Sequence, residues 1–260
     1  MLRLSRRGTG RGVCSTCWRS SRAGIAAQCF RPQRVRLRRD GLQHFWIDTC
    51  CINKANKAEL SLAIRSMFRW YQNATKCYVY LSDVSTKKRK AGGLSTSFTW
   101  EPAFRSSRWF TRGWTLQELL APGVVKFFSR EWHRLGDRRS LKTQIHEVTS
   151  IPHNVLEGAP LSQFSVEERF RWRQNRHTKL KEDAAYSLSG IFNVDMAPVY
   201  GEGTEEAFKR LHDEIRKREE CLRNLRPSDP RNNKKRIEDT KGSLLEGSYR
   251  WVLSNSSFQQ

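Results

Sequence analysis

Phe104-Arg-Ser-Ser-Arg-Trp-Phe-Thr-Arg-Gly-Trp-Thr-Leu-Gln-Glu-Leu-Leu-Ala-Pro122 is the stretch on which the reading of this chain turns. It holds two tryptophans, three arginines and one carboxylate in nineteen residues. Trp114 opens an apolar face that Glu118 shares one turn later, which predicts a helix over Trp109–Leu120 stopped by Pro122. A carboxylate in that position either pairs with Arg108 or Arg112, or it does chemistry.

Working outward, Gln43-His-Phe-Trp-Ile-Asp-Thr-Cys50 is a short run of aromatic and β-branched residues, and a strand is expected there. Leu60, Ile64, Met67, Phe68 and Tyr71 recur on one face of an amphipathic helix over Lys57–Asn73. Lys76–Leu81 reads as a second strand and Val124–Phe128 as a third. Strand and helix alternation predicts an α/β domain, residues 40–135, with a mainly parallel sheet flanked by helices.

Beyond it the pattern turns helical over residues 136–220. Leu141–Thr149 is a short helix, Ser165-Val-Glu-Glu168 is a capping box opening a helix to about Asn175, Lys181–Phe192 is another, and Glu205–Arg218 follows a Thr204 cap. Residues 221–260 read as a linker broken by Pro227 and Pro230, with room for one short helix at Leu244–Phe258. The chain then stops without a domain-ending signal and looks truncated.

Charge is uneven. The net charge is +22, yet residues 1–39 hold eleven arginines and no lysine or acid, so removing those eleven leaves +11 for residues 40–260. That segment is a disordered basic arm, a presequence of mitochondrial composition, or a substituted first exon, and the last is preferred. The remaining excess is scattered among acids, and no nucleic-acid-binding motif is present, so no specific nucleic-acid partner is expected. No window of about 18 apolar residues occurs, so no membrane span is expected. The seven cysteines form no spaced framework, which fits free thiols in a reducing compartment and a cytoplasmic location.

The chemistry-bearing motifs are few. No phosphate loop occurs, and Gly201-Glu-Gly203 reads as a helix-entry turn because Glu202 would repel phosphate. The six histidines lie in no nucleophile motif, and no metal-ligand spacing appears, so no metal is expected. Glu118 remains. Ligands of open α/β sheets collect at strand C-terminal ends, where Asp48 and Asp83 fall. Glu118 and Asp48 with Trp46, Trp109 and Trp114 would then line one cleft suited to a sugar ring and an oxocarbenium-like transition state. The alternative is that Glu118 pairs with an arginine, Asp48 caps a turn and the tryptophans are core.

Phe45-Trp-Ile-Asp-Thr-Cys-Cys-Ile-Asn-Lys54, Glu59–Tyr71, Cys77-Tyr-Val-Tyr-Leu-Ser-Asp83 and Ser107–Pro122 together resemble the fungal HET (heterokaryon incompatibility) domain. Asp183-Ala-Ala-Tyr-Ser-Leu-Ser-Gly-Ile-Phe192 and Tyr200-Gly-Glu-Gly-Thr-Glu-Glu-Ala-Phe208 resemble the helical segment that follows it in large incompatibility proteins. Cys221–Arg231 and Tyr249–Leu253 resemble the lead-in to a NACHT domain, which itself is absent here. Two features depart from the family pattern. Residues 1–39 lack its first-strand motif, and Asn53 stands where an acid is more usual.

The resemblance implies a role in non-self recognition, with programmed cell death after fusion of unlike hyphae. It implies partners of two kinds, self-association or other HET and NLR-type proteins. It also implies a TIR-like fold, and by that analogy Glu118 is the candidate catalytic residue of an NAD hydrolase, with Asp48, Trp46, Trp114 and Arg112 as substrate-binding residues and NAD as substrate. Three readings therefore stand: a death effector working through HET contacts, an NAD-consuming enzyme, and a fragment without function.

Overall fold

A computed structural model describes residues 2–5, 40–42, 44–47, 51–87 and 100–224. Strands β1 (Leu2–Ser5) and β2 (His44–Trp46) are followed by helix α1 (Lys57–Gln72) and strand β3 (Lys76–Tyr80). Helix α2 (Glu101–Arg105), a 3-10 turn at Arg108–Thr111 and helix α3 (Thr115–Leu120) lead to β4 (Val125–Phe128) and β5 (Arg134–Asp137). The rest is helical: α4 (Lys142–Thr149), α5 (His153–Glu157), α6 (Val166–Arg171), α7 (Asp183–Tyr186), α8 (Ser189–Phe192) and α9 (Gly203–Asn224). The chain is thus α/β followed by a mostly helical segment. The described residues up to Ile215 belong to one compact unit, and a second begins at Arg216.

Local sequence explains the regular elements. Asn56 caps α1 by accepting from the Glu59 amide at 3.1 Å, and the Glu59 carboxylate accepts in turn from the Asn53 amide at 2.9 Å. Ala63, Ile64, Met67 and Tyr71 form its buried face, as the periodicity predicts. Ser165 and Glu168 complete both halves of the capping box that starts α6.

The sheet order is β2-β1-β3-β4-β5. Its central strands β3 and β4 are parallel, while β4–β5, β1–β2 and β1–β3 are antiparallel. The sheet is therefore mixed, which corrects the expectation of a mainly parallel one. The physical reason is the β4–β5 connection: five residues, Ser129–His133, reverse the chain, with Trp132 in the left-handed region at φ 62° and the Ser129 amide on the His133 carbonyl at 2.9 Å. Leu2–Ser5 pairs within the sheet although the sequence reading set residues 1–39 outside the fold. The expected linker and terminal helix beyond residue 224 lie outside the described residues.

Two further expectations are corrected. The helix expected over Trp109–Leu120 is broken, because Arg112 is extended and forms a parallel bridge with His177. Lys181–Phe192 is two short helices instead of one, divided at Ser187 and Leu188.

One face of the sheet carries the main core. Cys77, Val79, Val125 and Phe127 pack with Leu116 and Leu119 of α3 and with Tyr186, Leu188 and Phe192 of the helical segment. Burial of side chains of this size stabilises by roughly 1.5–3 kcal/mol each. The other face carries Leu42, Tyr78 and Phe128.

Candidate functional site

Every residue of α3 is buried, including Thr115, Gln117 and Glu118. Buried polar groups require partners, and α3 draws many of them from the helical segment. The Gln117 amide donates to the Ser187 carbonyl at 2.8 Å. Thr115 Oγ1 lies 2.6 Å from the Trp109 carbonyl and 2.7 Å from the Arg112 carbonyl, and it accepts from Arg176 Nη1 at 2.8 Å. Arg176 Nη1 also donates to the Arg112 carbonyl at 3.0 Å. Trp114 Nε1 donates to Asp183 Oδ2 at 3.1 Å, and Tyr200 donates to Asp183 Oδ1 at 2.9 Å.

Glu118 is 6% exposed and accepts from Trp109 Nε1 at 3.0 Å. Burial pushes the Arg176 guanidinium down to about 10, while the nearby Glu118 carboxylate pulls it back up. Burial also raises the Cys77 thiol, and Glu118 adds to that rise. Asp183 is raised by burial, against the two donors that favour its ionised form. Acid and cation thus interact within the protein interior.

A cleft of about 430 Å³ opens at the C-terminal end of β3. Tyr80, Asp83, Arg108, Trp109, Arg112 and His177 are among its lining residues, and Glu118 is not. Trp109 borders both regions: it is among the residues of the cleft wall, and its indole N–H binds Glu118.

The expected site residues are therefore divided. Arg112 and Trp109 line the cleft. Trp114 is half-buried and engaged with Asp183. Trp46 is 4% exposed and packs edge-on against Trp70 and Tyr71, so it is a core residue. Asp48 lies outside the described residues. Arg176 and His177 were not singled out from sequence. They sit in the polar run Arg173-Gln-Asn-Arg-His177, which carries no period, and only their contacts give them meaning. Among the described residues no group of three His, Cys, Asp or Glu side chains could hold a metal ion. No described helix is long and apolar enough to cross a membrane.

A mixed sheet whose α3 helix is locked to an appended helical segment by buried polar contacts defines the class: an α/β module built together with its helical extension. Comparison with known proteins makes it specific. The family described as "Heterokaryon incompatibility protein (HET)" matches residues 28–97. The chain is 58% identical over 222 residues to "Vegetative incompatibility protein HET-E-1" of Podospora anserina, a match covering 85% of this chain and 16% of that protein. The chain thus spans about a sixth of the length of this relative. No solved structure matches. The chain is a fungal HET-domain protein.

Proposed function

We propose that this chain is an effector module of heterokaryon (vegetative) incompatibility, which self-associates through HET-domain contacts and triggers programmed cell death after non-self recognition. The observation that carries this reading is the 58% identity to a vegetative incompatibility protein, extending through the helical segment. The burial of Glu118 supports action by contact, because its carboxylate is turned to Trp109 inside the protein. The test is inducible expression of the full chain, fused to a drug-dependent dimeriser, in a filamentous fungus. Death on dimerisation is expected. Undiminished growth at confirmed protein levels would overturn the proposal.

A second reading, a TIR-like NAD hydrolase using Glu118, is favoured by one observation: Trp109 belongs to the cleft wall and also holds Glu118. A shift of that indole would link the two. Nicotinamide release by the dimerised chain, lost in Glu118→Gln, is the expected result. Absence of release, or release that survives the substitution, removes this reading and leaves the first intact.

A further inference from the structure

We propose that the cleft at the end of β3 is a binding site for a small phosphate-bearing anion, held by Arg108, Arg112 and His177. It shares Arg112 with the NAD reading but asks nothing of Glu118, so it stands or falls separately from that reading.

The charge balance of the cleft comes first. Asp83 is the one acid among its described lining residues, and it is already engaged. Its Oδ1 accepts from Ser107 Oγ at 2.9 Å and its Oδ2 from the Arg108 amide at 2.8 Å, with Arg108 Nε at 3.7 Å. The Arg112 guanidinium and the His177 imidazole have no side-chain partner among the described residues. Two arginines and one histidine, all exposed, thus border a cleft whose one described acid is already satisfied. An arginine fork matches the oxygens of phosphate in spacing and in plane. The volume, about 430 Å³, lies in the range of small-ligand sites.

Preorganisation is the second observation, and it separates this cleft from an ordinary solvated basic surface. Arg112 and His177 are opposite each other in a parallel bridge. The His177 amide donates to the Thr111 carbonyl at 2.6 Å, and the Gly113 amide donates to the His177 carbonyl at 2.9 Å. The Arg112 carbonyl is held in turn by buried Arg176 and Thr115. Gly113 permits this approach, because a Cβ there would overlap Thr178 Cγ2. The backbones that carry the two groups are therefore fixed before any ligand arrives, which lowers the entropic cost of binding. They come from opposite sides of the α/β–helical boundary, so the site exists only when both parts are folded together.

The test is calorimetric titration of the full chain with sodium pyrophosphate, ADP and adenosine. The eleven arginines of residues 1–39 also attract polyanions, so the readout is the difference between variants. Arg112→Ala and His177→Ala should each weaken pyrophosphate binding roughly tenfold, about 1.4 kcal/mol, with Arg112→Lys intermediate. ADP binding as tightly as pyrophosphate supports a site for phosphate alone, and tighter binding supports one for a nucleotide. Equal binding by folded Arg112→Ala, or adenosine binding as well as ADP, overturns the proposal.

Discussion

Arg176→Met is the perturbation that tests how the acid of α3 is held. Arg176 is 4% exposed, and its Nη1 donates to the Arg112 carbonyl and to Thr115 Oγ1. Each charge-assisted bond is worth about 1.5–3 kcal/mol, so about 3–6 kcal/mol is lost. Methionine also relieves the burial of a guanidinium pushed down to about 10, on the order of 3 kcal/mol. The carboxylate of Glu118 then loses the field of its neighbouring cation, which adds to the loss. The net expectation is destabilisation by about 2–4 kcal/mol, or a Tm lower by about 4–16 °C for a unit of this size. Thermal unfolding followed by circular dichroism should be run on the parent, Arg176→Met, Glu118→Gln and the double variant. Glutamine keeps an oxygen for the Trp109 N–H, so Glu118→Gln alone should cost about 1–2 kcal/mol. It should cost less once Arg176 is gone, with a coupling of about 1–3 kcal/mol. Additivity to within roughly 0.5 kcal/mol would refute the reasoning. The outcome also governs any activity assay: if Glu118 supports the fold, loss of toxicity in Glu118→Gln must be scaled to folded protein before it is credited to catalysis.

Other outcomes follow from the same geometry. Glu131 is held at about 2: burial opposes its charge, but the Thr86 amide and the Ser85 and Ser129 hydroxyls outweigh it. A lowered carboxyl contributes stability that is present above its usual 4.5 and lost as pH falls toward 2, so acid titration of Tm should show this limb and Glu131→Gln should flatten it. Gly190→Ala places a methyl group into Phe68 Cβ and Cγ, where α8 meets α1. A loss of about 1–3 kcal/mol is expected in urea unfolding. Trp114→Phe removes the indole donor from Asp183, whose carboxyl burial already raises. It should cost about 1–3 kcal/mol near neutral pH. The difference from the parent should shrink as pH falls and that carboxyl protonates, a trend visible in Tm measured between neutral and acid pH.

What was legible in the sequence is what depends on near neighbours. The face of α1, the strand of Lys76–Tyr80 and the capping box at Ser165 are written within a few residues, and the structure has them all. The break at Arg112–Gly113 was not legible, because its cause is a backbone bridge to His177, 65 positions away. β5 was missed since Arg134–Asp137 offers one half-buried leucine and no alternation, and it is held by pairing with β4. The candidate site was half legible. The rule that ligands gather at strand ends pointed to the end of β3 and to Asp83, yet of the described residues expected to line the cleft with Glu118 only Trp109 does. Whether Glu118 faced that cleft or the interior depended on Trp109 and Arg176, and the spacing of Trp114 and Glu118 carries no information on either.

The same contacts bear on where the functional module ends. The sequence pattern suggests a boundary near residue 135, since strands give way to helices there. Yet α3, buried along its whole length, takes partners at Arg176, Asp183 and Ser187. A chain ending at 135 would leave the Gln117 amide without its carbonyl, Thr115 without the guanidinium and the Trp114 indole without its carboxylate. Each such loss costs about 1–3 kcal/mol, and together they approach the whole stability of a small domain. The core that α3 shares with the sheet would lose Tyr186, Leu188 and Phe192 as well. The Asp183–Tyr186 and Tyr200–Gly203 motifs are therefore part of the fold of the α/β sheet and not an appendix to it: Tyr200 bonds Asp183, Glu182 accepts from the Gly201 and Gly203 amides, and Asp183 receives Trp114. A signal arriving at the helical segment would meet the sheet through these few buried polar bonds, on the same α3 helix that carries Glu118.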